Sequence, residues 1–136
     1  MPQHYSFSTF IPIRITDVNY GGHVGNDAVL SLLHEARMQF LHHFGFSEMK
    51  FAGAGMIMAD VMIEFKAEAF YGDLLKAYVA ANHTGKVSFD IYYKLTKENE
   101  GKEVVVALAK TGMVCYDYNR KKIVAIPEEA NKVFGA

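Results

Sequence analysis

The chain has 136 residues, 51% of them hydrophobic and 21% charged, with a formal net charge of −1. That length accommodates one domain with a sizeable core, and residues 1–136 are read as a single domain. The near-zero charge argues against a dedicated nucleic-acid binder, which carries a clustered Lys/Arg footprint. The lone cysteine, Cys115, excludes an intrachain disulfide, and its apolar neighbours Val114 and Tyr116 predict a buried small hydrophobe. The N-terminus lacks the charged-then-apolar pattern of a secretory leader, and no apolar run approaches the ~20 residues of a membrane span. A cytoplasmic protein with no membrane partner is expected.

From Tyr5 to Ile15, apolar residues alternate as in a strand, with Phe7, Thr9, Ile11 and Ile13 on one face. Pro12 has no N–H to donate, which places this strand at an edge or at a bulge. A polar loop follows from Thr16 to Gly25, with Asn26 or Asp27 as the expected helix cap. Val29, Leu32, Leu33, Ala36, Phe40 and Phe44 recur at helical spacing and predict a helix over 27–44 with a broad apolar face, closed by Gly45.

The rest reads as strands. Met56–Lys66 alternates, with Ile57, Ala59, Val61, Ile63 and Phe65 on one face and Met58, Asp60, Met62 and Glu64 on the other. Turns at Gly72-Asp73, Gly85 and Glu98–Lys102 separate strands beginning near Leu75, Val87 and Val104, and Gly112 is a candidate bulge in the last and longest. Ile123–Ile126 pairs back, and Pro127 opens a short helix to Phe134. Turns this short predict an antiparallel meander around one helix, an α+β arrangement.

Two segments carry a family resemblance. Asp17-Val18-Asn19-Tyr20-Gly21-Gly22-His23-Val24-Gly25-Asn26 leads to Glu35-Ala36-Arg37, and Phe65-Lys66-Ala67-Glu68-Ala69-Phe70-Tyr71-Gly72-Asp73 follows later. With their spacing, the chain resembles the hotdog superfamily, and within it the 4-hydroxybenzoyl-CoA thioesterase-like branch. The resemblance implies an antiparallel sheet of five or six strands wrapped around one long central helix. It implies hydrolysis of an acyl-CoA or related carrier thioester, with CoA entering as part of the substrate and no cofactor. It also implies self-association to a homodimer or homotetramer, in which the Met56–Lys66 strand pairs with its copy. The departure is at Asn19, where the family's usual catalytic aspartate falls. An asparagine positions water or donates a hydrogen bond but is neither nucleophile nor general base.

Thioester hydrolysis needs an oxyanion stabiliser and a means of activating water. The helix start, Val24, Gly25, Asn26 and Asp27, offers free N–H groups and the positive end of the helix dipole, and Gly22 lets a substrate approach. Asn19 either contacts substrate or water or holds the loop through an Asx-turn. Asp17 is either the base or an ion-pair partner of Arg14 or Arg37. His23 is either a base or a loop-closing residue. Glu35 matches, by the same resemblance, a helix carboxylate that activates water, or else lies on a solvated face. Asp60 has either a site role or an interface hydrogen bond. Met58, with Met38, Met56 and Met62, lines an acyl tunnel or packs a core or interface. Arg120, Lys121 and Lys122 meet CoA phosphates or are solvated. No metal-ligand spacing is present, since His42 and His43 point apart on the helix. Two other readings remain: a non-catalytic acyl-CoA-binding hotdog protein, suggested by Asn19, and a hotdog dehydratase or hydratase, whose motifs fit this loop poorly.

Overall fold

The computed structural model describes residues 1–135. Ala136, the last residue of the expected domain, lies outside the described residues. The elements run β1 (Phe7–Pro12), α1 (Asn26–His43), β2 (Gly55–Phe65), β3 (Leu74–His83), β4 (Ser88–Asn99), β5 (Lys102–Asp117) and β6 (Lys122–Ile123), with short 3-10 turns at Ile15–Asp17 and Glu128–Val133. One antiparallel sheet has the order β1-β3-β4-β5-β2, with β6 added to β5. Pro12 ends the edge strand β1, where its missing N–H breaks no interior ladder.

The inner face of the sheet is built from rows of alternating size. Ala77, Leu95 and Ala107 pair across β3, β4 and β5, as do Val79, Tyr93 and Ala109, and then Ala81, Ile91 and Thr111. Small residues flank a large one in two of the three rows, which leaves room for α1 to settle on the sheet. Its stripe of Val29, Leu32, Leu33, Ala36, Phe40 and Leu41 is buried there, each residue no more than 5% exposed. Gly45 follows the helix at φ +84°, and the Phe46 N–H closes onto the Leu41 carbonyl at 2.9 Å. The β4–β5 hairpin turns on Glu100 and Gly101, both at positive φ, as a tight two-residue turn requires.

The helix buries polar groups as well. Arg37, 7% exposed, donates from Nη1 to the Tyr93 hydroxyl (3.1 Å) and from Nε to Glu48 Oε2 (3.0 Å). The Tyr93 hydroxyl also bonds Thr111 Oγ1 at 2.7 Å. Burial raises the Tyr93 phenol above its ordinary pKa, so it remains a neutral donor and acceptor.

Two expectations are corrected. β2 does not continue the meander: it pairs with β5, and residues 66–73 carry the chain across to β3 at the other side. That crossing covers three strand spacings, roughly 14 Å, well within the reach of an eight-residue segment. The face assignment on β2 also changes, because Ala59 is an extra residue between the Met58–Met113 and Asp60–Gly112 pairs. The bulge switches parity, so Met56 and Met58 share the inner face with Val61, Ile63 and Phe65, while Ile57, Asp60, Met62 and Glu64 face outward. Gly112 is not the bulge. It leaves space for Asp60, whose Oδ1 accepts its N–H at 3.0 Å and would lie 2.6 Å from an added Cβ. A second bulge falls at Val106, between the Leu95–Ala107 and Thr96–Val105 pairs.

Cys115 is fully buried, and burial pushes its thiol up to about 11. Ellman's reagent is expected to leave it unmodified in the native protein and to label it on unfolding. Tyr93→Phe strands Arg37 Nη1 and Thr111 Oγ1 and is expected to cost about 1–3 kcal/mol, read from urea unfolding at unchanged m-value.

Candidate active site

The loop between β1 and α1 is held by its own main chain. The Asn19 N–H donates to the His23 carbonyl (2.8 Å), the Gly22 N–H to the Asn19 carbonyl (3.0 Å), and the Gly25 N–H to the Asp17 carbonyl (3.4 Å). Gly22 sits at φ +80°, a conformation that costs other L-residues energy. The Val24 N–H reaches the crossing segment and donates to the Ala69 carbonyl at 2.8 Å. The crossing segment is fixed in turn by the Val106 bulge, whose carbonyl accepts from the Lys66 N–H (2.8 Å) and the Ala67 N–H (3.2 Å). Lys97 Nζ donates to the Glu68 carbonyl at 2.6 Å and lies 5.0 Å from the centre of the Phe70 ring.

These ties open a cavity of about 620 Å³ between the start of α1 and residues 65–69. Its mouth carries Asn19, His23, Asn26, Asp27, Lys66 and Glu68, and its floor is Val29, Leu32, Leu75, Leu95 and Val106. The helix N-cap is Gly25, with no side-chain cap, in place of the expected Asn26 or Asp27. The main-chain ties at Val24 and Gly25 fix the path of the chain, so the helix starts one residue earlier than its polar pattern suggests. Val24 and Gly25 thus spend their amides on Ala69 and Asp17, and the uncommitted N–H groups are those of Asn26, Asp27 and Ala28, at the positive end of the helix dipole.

His23 is clamped from two sides. Its ring lies 5.2 Å from that of Phe70, and a Cβ on Gly21 would meet its Cδ2 at 2.8 Å. Its Nδ1 is 3.1 Å from Glu68 Oε2, a charge pair when the imidazole is protonated. The two are not aligned as a hydrogen bond, so Nδ1 is buried without a hydrogen-bond partner. Asn19 Oδ1 accepts the Gly21 N–H at 3.0 Å in an Asx-turn, while the residue also lines the cavity.

The structure therefore brings together Asn19, His23, Val24, Gly25 and Asn26, with Gly22 in the turn beside them. Asp17 is 5% exposed and does not line the cavity. Its carboxylate accepts from the Arg14 N–H at 2.8 Å and pairs with the Arg14 guanidinium, whose pKa is raised by that bond and charge. Glu35 is exposed farther along α1 and accepts from Gln39 Nε2 at 2.7 Å. Met58 and Asp60 lie on β2 outside the cavity, and Asp60 is exposed and paired with Lys110 at 3.3 Å. Arg120 and Lys121 sit in the β5–β6 turn and Lys122 opens β6, at the opposite end of β5 from Val106. Sequence reasoning assigned no role to Lys66, Glu68 or the cavity floor, because only the crossing connection brings those residues to the loop.

A sequence model described as the thioesterase-like superfamily matches residues 13–134. The chain belongs to that superfamily. Among solved structures, this member is similar to a mutant 4-hydroxybenzoyl-CoA thioesterase complexed with 4-hydroxybenzoyl-CoA, with TM-score 0.85 and 17% identity over 95% of this chain and 98% of that one. A 1,4-dihydroxy-2-naphthoyl-CoA thioesterase from Synechocystis gives TM-score 0.82 and 20% identity over 93% of each chain. A probable thioesterase from Escherichia coli gives TM-score 0.76 and 26% identity over 95% of each. The architecture is the hotdog fold. No curated protein sequence matches the chain significantly. Among the described residues no helix is long and apolar enough to cross a membrane.

Gly22→Ala places a side chain in open space but at an unfavourable φ. It is expected to cost about 1 kcal/mol of stability, measured by thermal or urea unfolding.

Proposed function

We propose that this thioesterase-superfamily member hydrolyses an acyl-CoA, or a related carrier thioester, in the cavity at the start of α1. The observation that carries the proposal is the meeting of two uncommitted helix amides, those of Asn26 and Asp27, with Asn19 and His23 at the mouth of an apolar-floored cavity. These amides stabilise the charge that develops on the carbonyl oxygen when water adds. Asn19, tied through Oδ1, keeps its side-chain N–H groups for the water or the thioester. His23 takes the proton from the water. Glu68 Oε2, 3.1 Å from His23 Nδ1, offsets the charge that the imidazolium then carries. Collapse of the tetrahedral adduct breaks the C–S bond, the departing thiolate takes the proton back from His23, and acid and thiol are left. His23 thus supplies the proton acceptor that Asn19 cannot be.

We also propose that residues 1–136 act as one cytosolic unit that self-associates as a homodimer or homotetramer. β2 is an edge strand of 11 residues with free main-chain groups along one side and exposed Ile57, Met58, Val61, Met62 and Phe65. Such an edge invites a second copy. Phe65 also lines the cavity, so a partner on β2 would border the site.

An acyl-CoA panel followed by thiol release is expected to show turnover, and His23→Ala and Asn19→Ala to lower kcat/KM by about 100-fold with unfolding midpoints nearly unchanged. Tight binding of every thioester without turnover would favour a non-catalytic binder, and addition of water to an enoyl-CoA a hydratase. Light scattering at micromolar concentration is expected to give a dimer or tetramer; a monomer would contradict the assembly.

A further inference from the structure

Resting on the thioesterase reading, we infer that the acyl group taken by this cavity is an unsubstituted hydrocarbon, selected by a buried apolar floor to which Val106 contributes. The names of two structural neighbours specify ring-hydroxylated acyl groups, 4-hydroxybenzoyl and 1,4-dihydroxy-2-naphthoyl. A ring hydroxyl carried deep into a site needs a partner there, and the floor of this cavity offers none.

The polar side chains lining the cavity belong to exposed residues, Asn19, Asn26, Asp27, Lys66 and Glu68, and to the half-buried His23. Leu32, Leu75, Leu95 and Val106, below them, are between 1% and 5% exposed. The nearby buried hydroxyls point elsewhere. The Tyr93 hydroxyl is committed to Arg37 and Thr111. Thr96 Oγ1 donates to Glu103 at 3.0 Å. The ladder carbonyls are paired within the sheet. The carbonyl freed by the β5 bulge, that of Val106, accepts two N–H groups, from Lys66 and Ala67, and so uses both of its lone pairs. A hydroxyl reaching this floor gives up its water and gains no bond.

The cost is asymmetric. An apolar site that meets an added hydroxyl rejects it by about 10- to 100-fold. Methylenes that reach the floor each gain about fourfold. The bulge makes Val106 decisive, because the extra residue in β5 turns a side chain into the cavity.

The test uses isosteric pairs, 4-methylbenzoyl-CoA against 4-hydroxybenzoyl-CoA and heptanoyl-CoA against 6-hydroxyhexanoyl-CoA, compared by kcat/KM for thiol release. The hydrocarbon member of each pair is expected to lead by at least about 10-fold. A hydroxylated member that equals or exceeds its partner overturns the inference. Val106→Thr keeps the side-chain shape and adds a hydroxyl. It is expected to narrow both ratios several-fold while lowering the unfolding midpoint, because its own hydroxyl is buried without a partner in the free protein, and ratios that stay fixed remove Val106 from the selection. If none of the four thioesters is cleaved, the thioesterase reading fails. The same pairs compared by calorimetric binding then decide the preference of the cavity on its own, by the same ratio.

Discussion

The hydrogen bond from the Val24 N–H to the Ala69 carbonyl, 2.8 Å long, joins the two segments from which the cavity is made. One is the loop that delivers the chain to α1. The other is the crossing connection that carries it from β2 to β3. Neither has a regular ladder to hold it, so their main-chain groups bond each other and the edges of the sheet. This accounting explains why the helix start stays open. The loop amides of Val24 and Gly25 are spent sideways, on Ala69 and Asp17, and with no side-chain acceptor at Gly25 the first turn keeps its own donors free.

Polar groups inside the protein are divided in the same spirit. One set, buried Arg37, Tyr93 and Thr111 with half-buried Glu48, ties α1 to β4, β5 and the segment after the helix, and Glu48 extends it to the exposed His34. It gives the helix a fixed rotation on the sheet, as a connected buried network does. The other interior space, the cavity floor, has no polar side chain and relies on shape. The helix axis separates the two functions along its length, with openness at its first turn and rigidity two turns later.

The periodic elements were legible from the residues. The stripe from Val29 to Phe40, the strict alternation from Val87 to Leu95 and the turn at Gly101 each have one cheap conformation. The bulges were not legible. Ala59 and Val106 are apolar residues in apolar runs, and nothing in their type marks an extra residue. Gly112, which does carry the usual mark of a bulge, is instead small to make room for Asp60. The missed bulge in β2 reversed the facing of Met58 relative to Asp60, and the missed crossing hid Glu68 and Lys66 from the loop. Asn19, His23 and the helix start were found because they are contiguous in the chain. The floor was not, since Leu75, Leu95 and Val106 come from three strands and meet only after folding.

The irregular step at Val106 carries a cost in sheet regularity and a benefit in space. With one residue fewer there, β5 would run in unbroken register with β4, its carbonyl would return to the ladder, and the crossing segment would lose its anchor and sink toward the leucines. Such a chain would have a tidier sheet and nowhere to put a guest. Selection for a smoother fold and selection for a hollow one therefore pull this strand in opposite directions.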